Sequence, residues 1–236
     1  MIESKTTLTG ITTTGTPHLG NYVGAIRPAI VESRSGEGQH YYFLADYHAL
    51  IKCQDPETVR QSTLEIAATW LALGLDTQRA VFYRQSDIPE ITELAWLLNC
   101  VAAKGLLNRA HAYKDAVQKN EEAKQDPDFA ITMGLFSYPV LMAADILLFQ
   151  ATHVPVGEDQ VPHLELSREV VRRFNNLYGD VLTEPMRERG AAPVDSERCG
   201  IIHVQTPTGG SRWPPLPPPP ISCVRASRTR RRRPAS

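Results

Sequence analysis

Beyond Lys124 the sequence contains no lysine at all. Its four cysteines, Cys53, Cys100, Cys199 and Cys223, form no Cys-x-x-Cys pair and accompany no histidine cluster at metal-ligand spacing. That spacing excludes a zinc-ribbon reading and argues for a reduced compartment over a disulfide framework. No apolar run reaches the roughly 18–20 residues that cross a bilayer. The longest candidate, Tyr138 to Phe149, is interrupted by Asp145. The opening residues MIESKTTLTG lack the basic-then-apolar order of a secretory signal. The expectation is a cytoplasmic protein with no membrane partner.

What is present divides into two parts. Over its 236 residues the formal net charge is −1, but that average describes neither part. Residues 1–186 hold 15 Lys/Arg against 23 Asp/Glu, whereas residues 187–236 hold 10 Arg, no Lys and 3 Asp/Glu. From about Met186 arginine, proline, glycine and alanine dominate, with PPLPPPP at Pro214 to Pro220 and an almost pure arginine run at Arg228 to Arg233. Proline blocks helix and sheet alike, so residues 186–236 read as a disordered tail behind a catalytic domain over residues 1–185.

The first part alternates β-rich runs with helical patterns, which predicts an α/β fold with a parallel, Rossmann-like sheet flanked by helices. Strands are expected at Thr6–Thr12, His40–Ala45, Ala80–Tyr83 and Thr152–Val156. Helices are expected over about Asn21–Glu32, from Asp55-Pro56 toward Gly74, over Pro89–Ala102, Gly134–Gln150 and Asp159–Asn175. In the second of these, Val59, Leu64, Ala67, Trp70 and Leu71 supply the expected apolar face. The polar stretch from Lys104, extending to about residue 133, reads as a helical insertion.

Three segments carry chemistry. TTTGTPHLGN, from Thr12 to Asn21, follows the first strand and opens a helix. Glycines let backbone approach a ligand, helix N–H groups face an anion, and His18 can add a ring donor, which together describe a phosphate site. A plain strand–helix turn is the competing reading. In SYPVLMAADILLF, Asp145 stands inside an apolar helix, a costly position unless the carboxylate is paired or used. Tyr138 lies two turns earlier on the same face, with Met142 between them. Such a site suits a ligand with an apolar body and one N–H donor, such as indole; the alternative is a structural Asp that caps a helix or pairs with an arginine. PVGEDQVPH, from Pro155 to His163, joins a strand to a helix at the edge of a parallel sheet where ligands bind. There Glu158 or Asp159 could equally be a helix cap. His48 follows the second strand near the same edge, and Lys114 and Lys119 read as surface charges.

Together, GITTTGTPHLGNYVGA, SYPVLMAADILLF and VPVGEDQVPHLELSREV resemble the signature segments of class I aminoacyl-tRNA synthetases, in the form of the bacterial tryptophan enzymes, over roughly residues 5–185. The resemblance implies ATP-dependent activation of L-tryptophan to tryptophanyl-adenylate, with Mg²⁺, and transfer to tRNA(Trp) by a homodimeric protein. It implies ATP contacts from Thr12, Thr13, Thr14, Gly20, Asn21, Gly157, Glu158 and Asp159, with His18 and Asn21 acting on the phosphates. It implies tryptophan contacts from Asp145, Tyr138, Met142, Gln160 and His48, and no metal ligand from the protein.

One departure stands out. The family follows this region with a further strand, a lysine-bearing KMSKS-type loop and an anticodon-binding domain. None of these is expected in a sequence whose last lysine is Lys124. A truncation or a frameshift near Met186 is the reading this suggests, with a sheet left incomplete on its C-terminal side. Two other functions remain as alternatives: an HxGH-type nucleotidyltransferase, and an inactive or non-catalytic product whose arginine-rich tail binds nucleic acid.

Overall fold

A computed structural model describes residues 5–34, 38–156 and 160–189. The first strand, β1 (Thr6–Thr12), is followed by a short helix α1 (Leu19–Asn21) that runs through one π-helical stretch (Tyr22–Ile26) into α2 (Arg27–Ser33). The expected single helix is thus present but locally widened. Pro28 has no N–H to give the carbonyl four residues back, and the Arg27 N–H reaches Tyr22 instead. Next come β2 (Gln39–Ala45), the single turn α3 (Asp46–Ala49) and α4 (Pro56–Ala72), capped by the Asp55 side chain. β3 (Ala80–Arg84) leads through a 3₁₀ turn (Gln85–Asp87) into α5 (Glu90–Val101). The predicted insertion contains α6 (Lys104–Leu107) and α7 (His111–Glu122). Then follow α8 (Met133–Leu148), β4 (His153–Val156), α9 (Val161–Tyr178) and β5 (Met186–Arg189).

The sheet is parallel throughout, in the order β3-β2-β1-β4-β5. The chain builds outward from β1 to β3, then returns to the other side of β1. The crevice between the carboxyl ends of β1 and β4 is therefore a topological switch point, where open α/β sheets bind ligands. Register assigns the two faces. Leu8, Phe43, Val154 and Val156 pack under α5, α8 and α9, while Ile11, Tyr42 and Leu44 pack against Ile26 and Ile30 and against Ile66 and Trp70 of α4. Gly10 lies opposite Phe43 on the first face, and a side chain there would run into the Phe43 ring.

Two expectations are corrected. In α4 the inward stripe is Ser62, Thr63, Ile66 and Trp70, whereas Leu64 and Leu71 are about half exposed. Leu64 sits two residues, some 200°, from both Ser62 and Ile66 and so faces outward. Trp70 faces the core as expected and Ala67 packs against the same cluster, but Ser62 and Thr63 take inward places and Leu64 and Leu71 do not. Thr63 bonds the Val59 carbonyl at 2.7 Å, and Ser62 has a separate task described below. The second correction concerns the edge beyond β4, where no further strand is expected and β5 lies. Its sequence, MRER, carries no apolar alternation. The strand is set by backbone pairing, with the Met186 N–H on the Thr152 carbonyl at 2.8 Å. Arg168 anchors the approach by donating to the Pro185 carbonyl at 2.7 Å.

β5 carries the sheet past residue 185; the arginine- and proline-rich stretch from residue 190 onward lies outside the described residues. Among the described residues, no helix is long and apolar enough to cross a membrane.

Candidate functional site

Thr12–Thr14, Asp46–His48 and Gln85 follow the carboxyl ends of β1, β2 and β3, and Gln160 stands at the start of α9. α8 adds Tyr138, Met142 and Asp145 from the apolar face. Gly157, Glu158 and Asp159 lie outside the described residues.

Asp145 is fully buried. Its Oδ2 lies 2.8 Å from His48 Nε2, and the Gln85 amide donates to Oδ1 at 2.8 Å and to Oδ2 at 3.0 Å. Neither helix capping nor an arginine pairing, the structural alternatives for this carboxylate, is what holds it. Gln85 is held in turn, because its Oε1 accepts the Tyr47 N–H at 3.1 Å, which points the amide NH₂ at Asp145. The adjoining Ser86 N–H donates to Asp46 at 3.0 Å, fixing the 3₁₀ turn to α3. Burial pushes the Asp145 carboxyl up from the usual carboxylate range, opposed by the hydrogen bonds from His48 and Gln85. His48 Nδ1 is buried and has no hydrogen-bond partner among the described residues.

A second buried polar chain lies along α8 and α9. The Tyr138 hydroxyl is 2.5 Å from His163 Nε2, and His163 Nδ1 is 2.9 Å from Gln160 Oε1. Gln160 and His163 meet because they stand three residues apart across the first turn of α9. Met142 is buried on α8 between the two polar groups.

The phosphate-type loop is built differently. His18 caps α1: its Nδ1 accepts the Gly20 N–H at 3.1 Å, and Asn21 Oδ1 accepts the His18 N–H at 3.0 Å. In the neutral ring that leaves the proton on Nε2, a donor on an exposed side chain. Thr14 is exposed, whereas Thr13 is buried and its hydroxyl has no hydrogen-bond partner among the described residues. The loop is tied to α4. Ser62 Oγ accepts the Gly15 N–H at 2.9 Å and donates to the Gly15 carbonyl at 2.8 Å. Thr16 donates to Glu65 at 2.9 Å, and the hydrogen bonds from Gln61 and then Thr16 hold the Glu65 carboxyl below its usual range.

The structure thus places His48 beside Asp145 and links Tyr138 to Gln160 through His163, while Thr12–Thr14, His18, Gly20 and Asn21 belong to the loop after β1. Lys114 and Lys119 sit on α7. Sequence reasoning passed over Gln85, Ser62 and His163. Gln85 and His163 had a usable signal, one being the residue just after a parallel strand and the other an i+3 neighbour of Gln160; Ser62 had none. Among the described residues, no three His, Cys, Asp or Glu side chains are grouped to hold a metal ion.

Comparison with known proteins matches this arrangement to one family. The model of class I tRNA synthetases (W and Y) matches residues 3–191. A tryptophan–tRNA ligase of Pseudomonas syringae pv. tomato is 71% identical over 192 residues, covering 79% of this chain and 43% of that protein. One from Neisseria meningitidis serogroup A is 58% identical over 185 residues, covering 78% of this chain and 55% of that protein. The crystal structure of tryptophanyl-tRNA synthetase from Campylobacter jejuni, complexed with ADP and tryptophan, superimposes with a TM-score of 0.71 at 43% identity, covering 79% of this chain and 56% of that one. The chain spans about half the length of these relatives, and the family match ends close to the change in composition. With a parallel sheet, a capped His-x-Gly-Asn loop at its switch point and a buried carboxylate beneath, the chain belongs to the class I tRNA synthetases of the tryptophan and tyrosine type.

Proposed function

We propose that this chain carries the tryptophan- and ATP-binding half of a tryptophan–tRNA ligase. The observation that carries the proposal is Asp145, a fully buried carboxylate on an apolar helix, oriented by two other buried side chains. Protein partners approach it from the His48 and Gln85 sides, and a carboxylate has about four lone-pair positions, enough to accept an indole N–H as well. Met142 contributes the apolar wall, Tyr138 and Gln160 receive the amino group, and His48 holds Asp145 in place. An amino acid without the N–H forfeits a hydrogen bond to a charged group, about 1.5–3 kcal/mol or roughly 10- to 100-fold in affinity.

In this reading ATP lies over the loop from Thr12 to Asn21, with Gly157, Glu158 and Asp159 toward the adenosine. A carboxylate oxygen of tryptophan attacks the α-phosphorus and pyrophosphate leaves, giving the mixed anhydride without a side-chain nucleophile. His18 Nε2–H donates to phosphate oxygen as charge builds there, and helix N–H groups add to it. Mg²⁺, a hard cation that binds phosphate oxygens, arrives with ATP and screens the phosphate charge. The 3′-terminal ribose hydroxyl of tRNA(Trp) then displaces AMP. A homodimer in the cytoplasm is proposed on family grounds alone. The nucleotidyltransferase alternative gives way to the family match, which includes the Asp145 and Gln160 segments.

The test is tryptophan-dependent exchange of pyrophosphate into ATP. Exchange supported by tryptophan and not by tyrosine or phenylalanine is the expected outcome. A chain that neither exchanges nor retains tryptophan in equilibrium dialysis contradicts the proposal.

A further inference from the structure

The hydrogen bonds to Asp145 do not fall evenly on its two oxygens. Oδ2 meets His48 Nε2 at 2.8 Å and the Gln85 amide at 3.0 Å; among the described residues, Oδ1 meets the Gln85 amide alone, at 2.8 Å. A carboxylate oxygen has two lone pairs, so Oδ2 is fully engaged and Oδ1 keeps one open. The polarity of the amide is fixed from behind. Gln85 Oε1 meets the Tyr47 backbone N–H at 3.1 Å, and an N–H is satisfied only by an acceptor, so the NH₂ end faces Asp145. Gln85 is completely buried, and its turn is tied to α3 a second time by the Ser86 N–H on Asp46 at 3.0 Å. An amide turned this way gives hydrogens to the carboxylate and can take none from it.

We propose that Gln85 is a positioning residue that keeps Asp145 an acceptor and leaves Oδ1 open to a ring N–H, so that the site takes an aromatic amino acid whose ring donates there and refuses one whose ring cannot. The proposal rests on the reading of Asp145 as the indole contact. His48 cannot set this direction alone. An imidazole nitrogen both gives and takes a proton, so its 2.8 Å contact suits a proton on either partner. Burial favours the protonated carboxyl, and the hydrogen bonds from His48 and Gln85 oppose it. No other donor helps. The buried Tyr83 hydroxyl, near enough to feel the Asp145 charge, has no hydrogen-bond partner among the described residues, and Asp46 adds a like charge. Without Gln85 the carboxyl would take up a proton, and a ring N–H would meet a neutral group where it now meets a charged one.

Two measurements on the full chain test this. The first is infrared spectroscopy at neutral pH. A protonated carboxyl has a carbonyl stretch that a carboxylate lacks, and a band belongs to Asp145 if adding Asp145→Asn removes it. The wild type should show no such band, and Gln85→Met, close in shape but without a donor, should gain one; Gln85→Leu takes its place if that variant does not fold. A band from Asp145 in the wild type, or none in the folded variant, overturns the proposal whatever the ligand. The second measurement compares binding of L-tryptophan with that of 3-benzothienyl-L-alanine, in which sulfur replaces the ring N–H. The wild type should prefer tryptophan by about 10-fold or more, and Gln85→Met should lose most of that preference while binding the sulfur analogue within about 2-fold of the wild type. Equal weakening of both ligands means a merely structural role and overturns the proposal. A wild-type chain that does not bind tryptophan, or does not prefer it, contradicts the tryptophan reading instead, and the infrared bands then decide the role of Gln85 by themselves.

Discussion

The two halves of the candidate site solve opposite problems. Around Asp145 the polar side chains are buried and hold one another: His48 and Gln85 meet on the carboxylate, the Tyr47 N–H holds Gln85, and His163 stands between Tyr138 and Gln160. Around His18 the polar groups lie nearer the surface, His18, Thr14 and Thr16 being exposed, and the loop is held through the helix cap and, by way of Gly15 and Thr16, through α4. On the proposed reading, a pocket that tells one amino acid from the nineteen others gains from fixed, desolvated partners, because a missing hydrogen bond there is expensive. A loop proposed to receive a triphosphate has a different need. Its donors must point outward to an anion that brings its own charge, and backbone amides at a helix start supply them with little desolvation.

The contrast predicts how each half breaks. The largest effect is expected from Asp145→Ala, which leaves Gln85 and His48 buried without their acceptor. A stability loss of about 3–5 kcal/mol by chemical denaturation is expected, with tryptophan binding abolished. His18→Ala should do the reverse: denaturation midpoints stay close to the wild type because the residue is exposed, while the rate of adenylate formation falls by about 10²–10³. Ser62→Ala cuts the double tie between Gly15 and α4; the expected signature is a KM for ATP raised several-fold, a cost near 1 kcal/mol, and an unchanged affinity for tryptophan.

The smallest effect is a pH slope. Burial lowers the Lys52 ammonium to about 8, close behind the α3 turn that carries His48. Between about pH 8 and the ordinary lysine value of 10.5 the unfolded chain binds the extra proton, so stability rises with pH across that window. Because the group is partly solvated, the gain is on the order of 1 kcal/mol. Comparing the wild type with Lys52→Met by denaturation across that range isolates it, since the variant lacks the slope.

Much of this architecture is legible in the amino-acid sequence, and the misses have physical causes. β1 was read to the residue because TTLTGIT is β-rich and ends in an unmistakable glycine turn. α8 was read as buried because apolar residues surround Asp145 on all sides. The inward face of α4 was legible only in part, at Ala67 and Trp70, because Ser62 and Thr63 face the core through hydrogen bonds that hydrophobicity does not encode. β5 was missed because an edge strand can be specified by its neighbour's backbone. Within the site, the motif residues stand out by type and spacing, but their partners do not. Gln85 is 60 residues from Asp145 in sequence, and only the parallel pairing of β2 with β3 brings its turn beneath α8.

The most direct test of the central claim, a preformed pocket that reads an indole N–H through Asp145, is calorimetric binding of L-tryptophan and L-phenylalanine to the chain and to Asp145→Asn. The account predicts that the wild type binds tryptophan at least about 10-fold more tightly than phenylalanine and that the substitution removes most of this preference. Equal affinity for the two amino acids in the wild type, or a preference that survives in Asp145→Asn, would contradict it.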